Sequence, residues 1–344
     1  MNPSSWELDE LIARTDYLRG PKGCGNSSGG SYKEWFHFLI FGEHINLLFN
    51  VSLLTDINTG ELIPRVTVLV DINGAFSGQV LELKNAKAKP GSLNIAGDYG
   101  GFEFDGENFL LRLKLESLEL DLALQPMIKP QFAGNVRLAE GSFSWLALPH
   151  LRANGIVRVK ETTVLLRGEP AYHDHNWGHF SWSGSYSWVW AVATPVNPDG
   201  YGMVFDRVVD TRSMRTVAQG AMLLKGTDHL RTFLASEVDL LTTESRPVHA
   251  FRVPPVMRIA VPGAGPAIAK TCYMSAKRKR DNVTLKIFPS HTAEIGVPSD
   301  IDNQAPMILS EAFGTGIIKG SVNGQSFQNE VRGVYEQIQQ GRAA

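Results

Sequence analysis

The chain has 344 residues, 43% hydrophobic and 9% aromatic, enough for two ordinary globular domains with substantial cores. Its 33 basic and 35 acidic residues are spread along the sequence and leave a formal net charge of -2, which excludes a global electrostatic pull toward nucleic acid. Only Cys24 and Cys272 occur, so a disulfide framework is excluded; a single bridge stays open, and a reducing compartment is favoured.

The stretch from Met1 to Arg19 is amphipathic and charged, as in Trp6-Glu7-Leu8-Asp9-Glu10-Leu11, and lacks the apolar core of a signal peptide. A short N-terminal helix is expected. No run approaches the ~18 apolar residues of a membrane span. The expected location is cytoplasmic. Gly20 to Ser31 has loop composition, with Gly20, Gly23, Gly25, Gly29 and Gly30. No Gly-Lys-Ser/Thr follows, and the next element reads as a strand, so a phosphate cradle is a poor reading.

From Tyr32 onward, strands alternate with turn signals: Trp35 to Phe41, Ile45 to Leu54, and Ile63 to Val70 followed by Asn73-Gly74, a strong hairpin dipeptide. After Asp105-Gly106, leucines alternate with polar residues from Phe109 to Leu124 and slip phase by one residue at Ser117. A single long strand with a β-bulge is expected there. A second series begins near Tyr186 and includes Trp188 to Thr194, a Pro198-Asp199-Gly200 turn, Tyr201 to Val209, Thr216 to Leu224, Phe233 to Leu241 and an Asn323-Gly324 turn. The basic run Lys277-Arg278-Lys279-Arg280 reads as a solvated hairpin end.

So many strands at this spacing imply sandwiches or closed barrels. The halves share a plan at an offset of about 150 residues, a weak repeat signal. The expected organisation is all-β: a helix and glycine-rich loop over 1–31, one antiparallel barrel over 32–170 and a second over 171–344.

Between them lies Tyr172-His173-Asp174-His175-Asn176-Trp177-Gly178-His179-Phe180, followed by Trp182, Tyr186, Trp188 and Trp190. If extended, His173, His175 and Trp177 face one way and Asp174 and Asn176 the other. Imidazole beside a carboxylate serves acid–base chemistry near neutral pH, and an aspartic acid kept protonated by burial could protonate an alkene. Indole faces would stabilise the resulting cation by roughly 0.5 to 2 kcal/mol per contact. Plainer roles also fit: Asp174 capping a turn, His175 satisfying a buried carbonyl, Trp177 plugging a barrel end. His-x-His on a strand could also ligate a metal, but no cysteine or spaced carboxylate completes such a set, and no metal or other cofactor is expected. No nucleophile elbow, dinucleotide fingerprint or Cys-x-x-Cys is present, and Ser181, Ser183, Ser185 and Ser187 read as a polar strand face.

The Asp174-His175-Asn176-Trp177-Gly178 run resembles the Asp-His-x-Trp-Gly signature of the AttH-like and carotenoid 1,2-hydratase (hydroxyneurosporene synthase) superfamily. Lys33-Glu34-Trp35-Phe36-His37-Phe38 is similar to that family's opening strand, and the resemblance spans Tyr32 to about Tyr335. It implies tandem lipocalin-like barrels enclosing an apolar cavity, an architecture related to that of lipocalin-like Diels-Alderases. It also implies functional roles for the motif histidine and tryptophan, here His175 and Trp177, and for a downstream Tyr-x-Asp pair. Val204-Phe205-Asp206 retains Asp206 but has Val204 in place of the tyrosine.

The expectation is therefore a cofactor-independent lyase or isomerase of secondary metabolism acting on a hydrophobic isoprenoid or polyene. Its catalytic candidates are His175, Asp206, Asp174 and Trp177; its substrate-binding candidates are Glu34, Trp35, His37, Tyr186, Trp188 and Trp190. A pericyclase on a polyketide-derived substrate and a non-catalytic lipid or pigment carrier are the alternatives. The expected partners are a hydrophobic small molecule and, transiently, a membrane surface during substrate uptake, without nucleic acid.

Overall fold

The computed structural model describes residues 5–21, 31–55, 62–138, 141–182, 186–243, 245–246, 250–255, 268–300 and 306–340. The chain divides into two compact units, Met1–Phe180 and Ser181–Ala344. Cys24, Ser183, Ser185 and nearly all of the glycine-rich loop lie outside the described residues.

The first unit holds α1 (Ser5–Thr15) and the strands β1 (Ser31–Phe41), β2 (Ile45–Thr55), β3 (Leu62–Ile72), β4 (Ala75–Glu82), β5 (Lys87–Ala88), β6 (Asn94–Gly97), β7 (Gly100–Phe104), β8 (Phe109–Lys114), β9 (Leu118–Pro126), β10 (Gln131–Leu138), β11 (Gly141–Val159) and β12 (Thr162–Phe180). The sheet runs β4-β3-β2-β1-β12-β11-β9-β8-β7-β6-β5, with β10 added to β11. Because β12 returns to lie beside β1, it is central, and the residues from Ala171 to Phe180 pair with this sheet. Asn73 and Gly74 turn β3 into β4 with φ of 51° and 89°, the positive angles a tight hairpin requires.

One expectation needs correction. Phe109 to Leu124 is not one bulged strand but a hairpin: Leu111 pairs with Leu122 and Leu113 with Leu120, and Leu115 N–H donates to the Leu118 carbonyl at 2.9 Å. The phase slip at Ser117 is the turn itself. Two strands joined by a tight turn must both aim their leucines at the same interior, which a one-residue shift of pattern achieves. Those leucines join Phe36, Phe38, Phe49 and Phe109 in the core of the unit. The helix is held by the same core, because Ile12 and, just beyond it, Leu18 are fully buried there. Leu18 also pairs by its backbone with Ser92 and Gly91, at 2.9 and 2.7 Å.

The second unit holds β13 (Tyr186–Pro195), β14 (Tyr201–Asp210), β15 (Arg215–Lys225), β16 (Asp228–Leu234), β17 (Val238–Thr242), β18 (Ser245–Arg246), β19 (Phe251–Val253), β20 (Ile268–Ala269), β21 (Cys272–Arg278), β22 (Asp281–Val297), β23 (Met307–Val322) and β24 (Gln325–Gln340). Its main sheet runs β16-β15-β14-β13-β24-β23-β22-β21-β17, so here too the last long strand returns beside the first. Gln219 on β15 bonds the Val238 carbonyl on β17, which draws the two ends of the sheet toward each other. Phe233 to Leu241, expected as one strand, is broken by a single 3-10 turn at Ala235–Glu237. Lys279 and Arg280 form the turn between β21 and β22, as the basic run suggested. The interior is apolar, with Met203, Phe205, Leu223, Phe233, Met274 and Leu285. Among the described residues no helix is long and apolar enough to cross a membrane.

Candidate functional site

In the first unit the motif residues lie on β12, between β1 and β11, and their alternation separates them into two groups. His173, His175 and Trp177 pair with Phe38, Phe36 and Glu34 of β1 and face the core of the unit. Gly178 permits this packing: a Cβ there would sit 2.1 Å from the Ser142 carbonyl oxygen on β11.

His175 is fully buried and stacks on Phe36 at 3.9 Å between ring centroids. Its Nδ1 donates to Asp16 at 2.9 Å and its Nε2 to Glu34 at 2.8 Å. Asp16, absent from the sequence reading, sits just past α1 with no exposure and also pairs with His173 Nε2 at 2.9 Å. Glu34 further accepts from Tyr32 Oη at 2.6 Å and from the Arg19 and Gly20 backbone at 2.7 and 3.0 Å.

The electrostatics follow from this closure. Burial is the strongest single influence on each group and disfavours its charge, but the partners outweigh it. Asp16 is held well below the usual carboxylate range by His173 and His175; Glu34 is lowered by His175, Arg19 and Tyr32; and His175 is raised by Asp16 and Glu34. His175 is thus an imidazolium with both nitrogens engaged. The ring has no nitrogen to offer a substrate in this arrangement, and Glu34, with four hydrogen bonds and no exposure, does not line an open cavity. The network ties the C-terminal end of α1 to β1 and β12. Trp177 contributes by carrying the Arg19 guanidinium at 4.5 Å.

The opposite face of the same strands carries Trp35, His37, Tyr172, Asp174 and Asn176. Asp174 accepts from Tyr172 Oη at 2.9 Å and Asn176 Nδ2 at 2.7 Å and stands opposite His37 in register. His37, beside Asn50 at 3.3 Å, is pushed down to about 3 by burial and then by the nearby His173, so it is a neutral imidazole. Among the described residues no cluster of histidine, cysteine and carboxylate groups could hold a metal ion.

In the second unit a separate constellation forms on the sheet face away from the interior. Tyr186, Trp188 and Trp190 of β13 stand opposite Asp210, Val208 and Asp206 of β14. One rung reads Gly220, Asp206, Trp190, Glu336, Glu311 across β15, β14, β13, β24 and β23. Asp206 is partly buried and has no ion pair or hydrogen bond to a described residue. Burial pushes its carboxyl up to about 7, the behaviour expected of an acid in apolar company. Gly220 leaves space beside it, since an added Cβ would come within 3.3 Å of Asp206 Oδ1.

Glu336 and Glu311 were missed by the sequence reading. They are buried and directly opposite each other, and Trp188 Nε1 donates to Glu336. Burial raises Glu336, favouring its protonated form. The available signal was a lone glutamate in each of two apolar strands, Ser310-Glu311-Ala312 and Tyr335-Glu336. The structure therefore gathers Asp206, Tyr186, Trp188 and Trp190 in one unit, and His175, Trp177, Glu34, Trp35, His37 and Asp174 in the other.

Together the architecture and the motif strand define an all-β protein of tandem lipocalin-like type, the fold class of the superfamily that the Asp-His-x-Trp-Gly run resembles. Among solved structures, CghA shares the fold with a TM-score of 0.64 at 11% identity, covering 95% of this chain and 99% of its own. An AttH-like protein from Nitrosomonas europaea gives 0.61 at 14% identity, covering 93% and 98%. Kievitone hydratase from Nectria haematococca gives 0.59 at 12%, covering 93% and 92%. No family model and no curated protein matches the sequence.

Proposed function

We propose that the protein is a cofactor-independent enzyme that uses Asp206 as a general acid toward a carbon–carbon double bond of a hydrophobic isoprenoid or polyene. Asp206 carries the reading: a carboxyl with no partner among the described residues, titrating at about 7 and directly opposite Trp190. An acid is most effective when its pKa lies near the working pH. Its proton would form a new C–H bond at the expense of the alkene π pair, leaving Asp206 as carboxylate and a carbocation shielded by the Trp190 and Trp188 indoles. Addition of water returns a proton to Asp206 and gives hydration; loss of a neighbouring proton to Asp206 gives isomerisation; attack by a second double bond moves the cation onto the new ring, and loss of a proton from it to Asp206 completes cyclisation. His175 is a positioning residue in this scheme, because it fixes β12 rather than meeting substrate. The fold it shares with kievitone hydratase is consistent with such chemistry.

The test is to incubate the purified protein with a panel of acyclic isoprenoid alcohols and conjugated polyenes in D2O and read carbon-bound deuterium by mass spectrometry. Incorporation by the wild type, lost in Asp206→Asn and weakened in Trp190→Ala, is expected. Product formation unaffected by Asp206→Asn would overturn the acid role and favour a pericyclic reaction governed by shape, the second reading suggested by the fold shared with CghA, a Diels-Alderase.

A further inference from the structure

The second unit contains a cavity unrelated to the carboxyl rung. It has a volume of about 250 Å³ and opens on the interior face of β13 and β14, where Val189 and Arg207 stand opposite each other. Trp190 and Asp206 are the next residues along and point to the other face. Leu240 of β17 also lines the cavity, with Thr242 at its exposed rim.

Its polar lining is donor-rich. Arg207, Tyr335, Gln337 and Thr242 surround the space, and among the described residues no carboxylate lines it. Asp239, the nearest acid along β17, alternates to the exposed face. Arg207 has no ion pair to any described residue, and its Nε is buried without a hydrogen-bond partner. Gln337 lies on the same rung, across Val189. Burial raises the Tyr335 phenol, so it remains a neutral O–H donor at any ordinary pH. An arginine in a protected pocket with an unused donor favours an anion that can take two parallel hydrogen bonds, which a carboxylate does. Ligand pockets for drug-sized molecules start near about 300 Å³, so this one suits a smaller body with Val189 and Leu240 as its apolar walls.

We infer that the interior of the second unit is a binding site for a small aromatic or short apolar carboxylate, held by Arg207 with Tyr335 and Gln337. The site is separate from the acid face and does not rest on the enzyme reading.

The experiment is calorimetric titration of the full-length protein with benzoate and with its neutral isostere benzamide. Benzoate is expected to bind about tenfold or more tightly than benzamide, the scale of one charge-assisted hydrogen bond. Arg207→Met should reduce benzoate to the benzamide level with an unchanged circular dichroism spectrum. If Arg207→Met fails to fold, Gln337→Glu supplies an internal carboxylate on the same rung as Arg207 and should abolish benzoate binding. Absence of benzoate binding, equal affinity for benzoate and benzamide, or benzoate binding that survives either variant overturns the site.

Discussion

Replacing Asp206 by asparagine keeps the shape of the side chain and removes its titration, so the carboxyl's energetic burden becomes measurable as stability. A carboxyl moved from 3.8 unfolded to about 7 folded holds its proton in the native state after the unfolded chain has released it. The sign follows: the native state binds more protons between these values, so stability falls as pH rises from about 4 and levels off above about 7. At about 1.36 kcal/mol per unit, the burden is near 1.5 kcal/mol at pH 5 and near 4 kcal/mol at pH 8.5. The group is only partly buried, and solvent screening reduces the difference between the two conditions to about 2 kcal/mol. Urea unfolding of wild type and Asp206→Asn at both pH values reads it directly. The variant should gain about 2 kcal/mol more, relative to wild type, at pH 8.5 than at pH 5. A gain or loss that is the same at the two pH values would refute the argument, because an ordinary exposed aspartate carries no such burden.

The His175 network makes further predictions. His175→Ala leaves Asp16 and Glu34 buried without their shared cation and should cost about 3 to 5 kcal/mol in urea unfolding, whereas His179→Ala on the same strand should cost under about 1 kcal/mol. The pH limits have opposite signs. The raised His175 contributes stability that is complete below 6.5 and lost as pH climbs through its folded value, while the lowered Asp16 and Glu34 contribute stability that is complete above about 4.5 and lost as pH falls through theirs. In an Asp206→Asn background, thermal melting should fall as pH drops below about 4.5, and His175→Gln should make the alkaline decline shallower, the remainder belonging to the raised Glu336. Gly178→Ala forces a Cβ into contact with Ser142 O and should lower the melting temperature by several degrees, with a loss of a few kcal/mol; an unchanged melting curve would mean that β11 yields at no cost.

The all-β architecture was legible from the alternation of leucines and from turn dipeptides such as Asn73-Gly74 and Asn323-Gly324, whose φ angles are those the turns demand. The phase slip at Ser117 is visible in the sequence but does not separate a bulge from a hairpin, because a bulge and a two-residue turn shift a period-two pattern in the same way. The alternation of His173 and His175 against Asp174 and Asn176 was also legible, because β12 is a regular strand. Asp16 was not. It follows α1 in the chain and meets the histidines across more than 150 positions, a contact that no local pattern encodes. Glu311 and Glu336 stayed hidden for the same reason: each is an unremarkable glutamate until β23 and β24 set them opposite each other.

The most direct measurement is the titration of Asp206 itself, by carbon NMR of protein labelled at the aspartate carboxyls, with Asp206→Asn identifying the resonance. A single carboxyl titrating at about 7, absent from the variant, is the expected result. A resonance titrating near the ordinary 3.8 would contradict it.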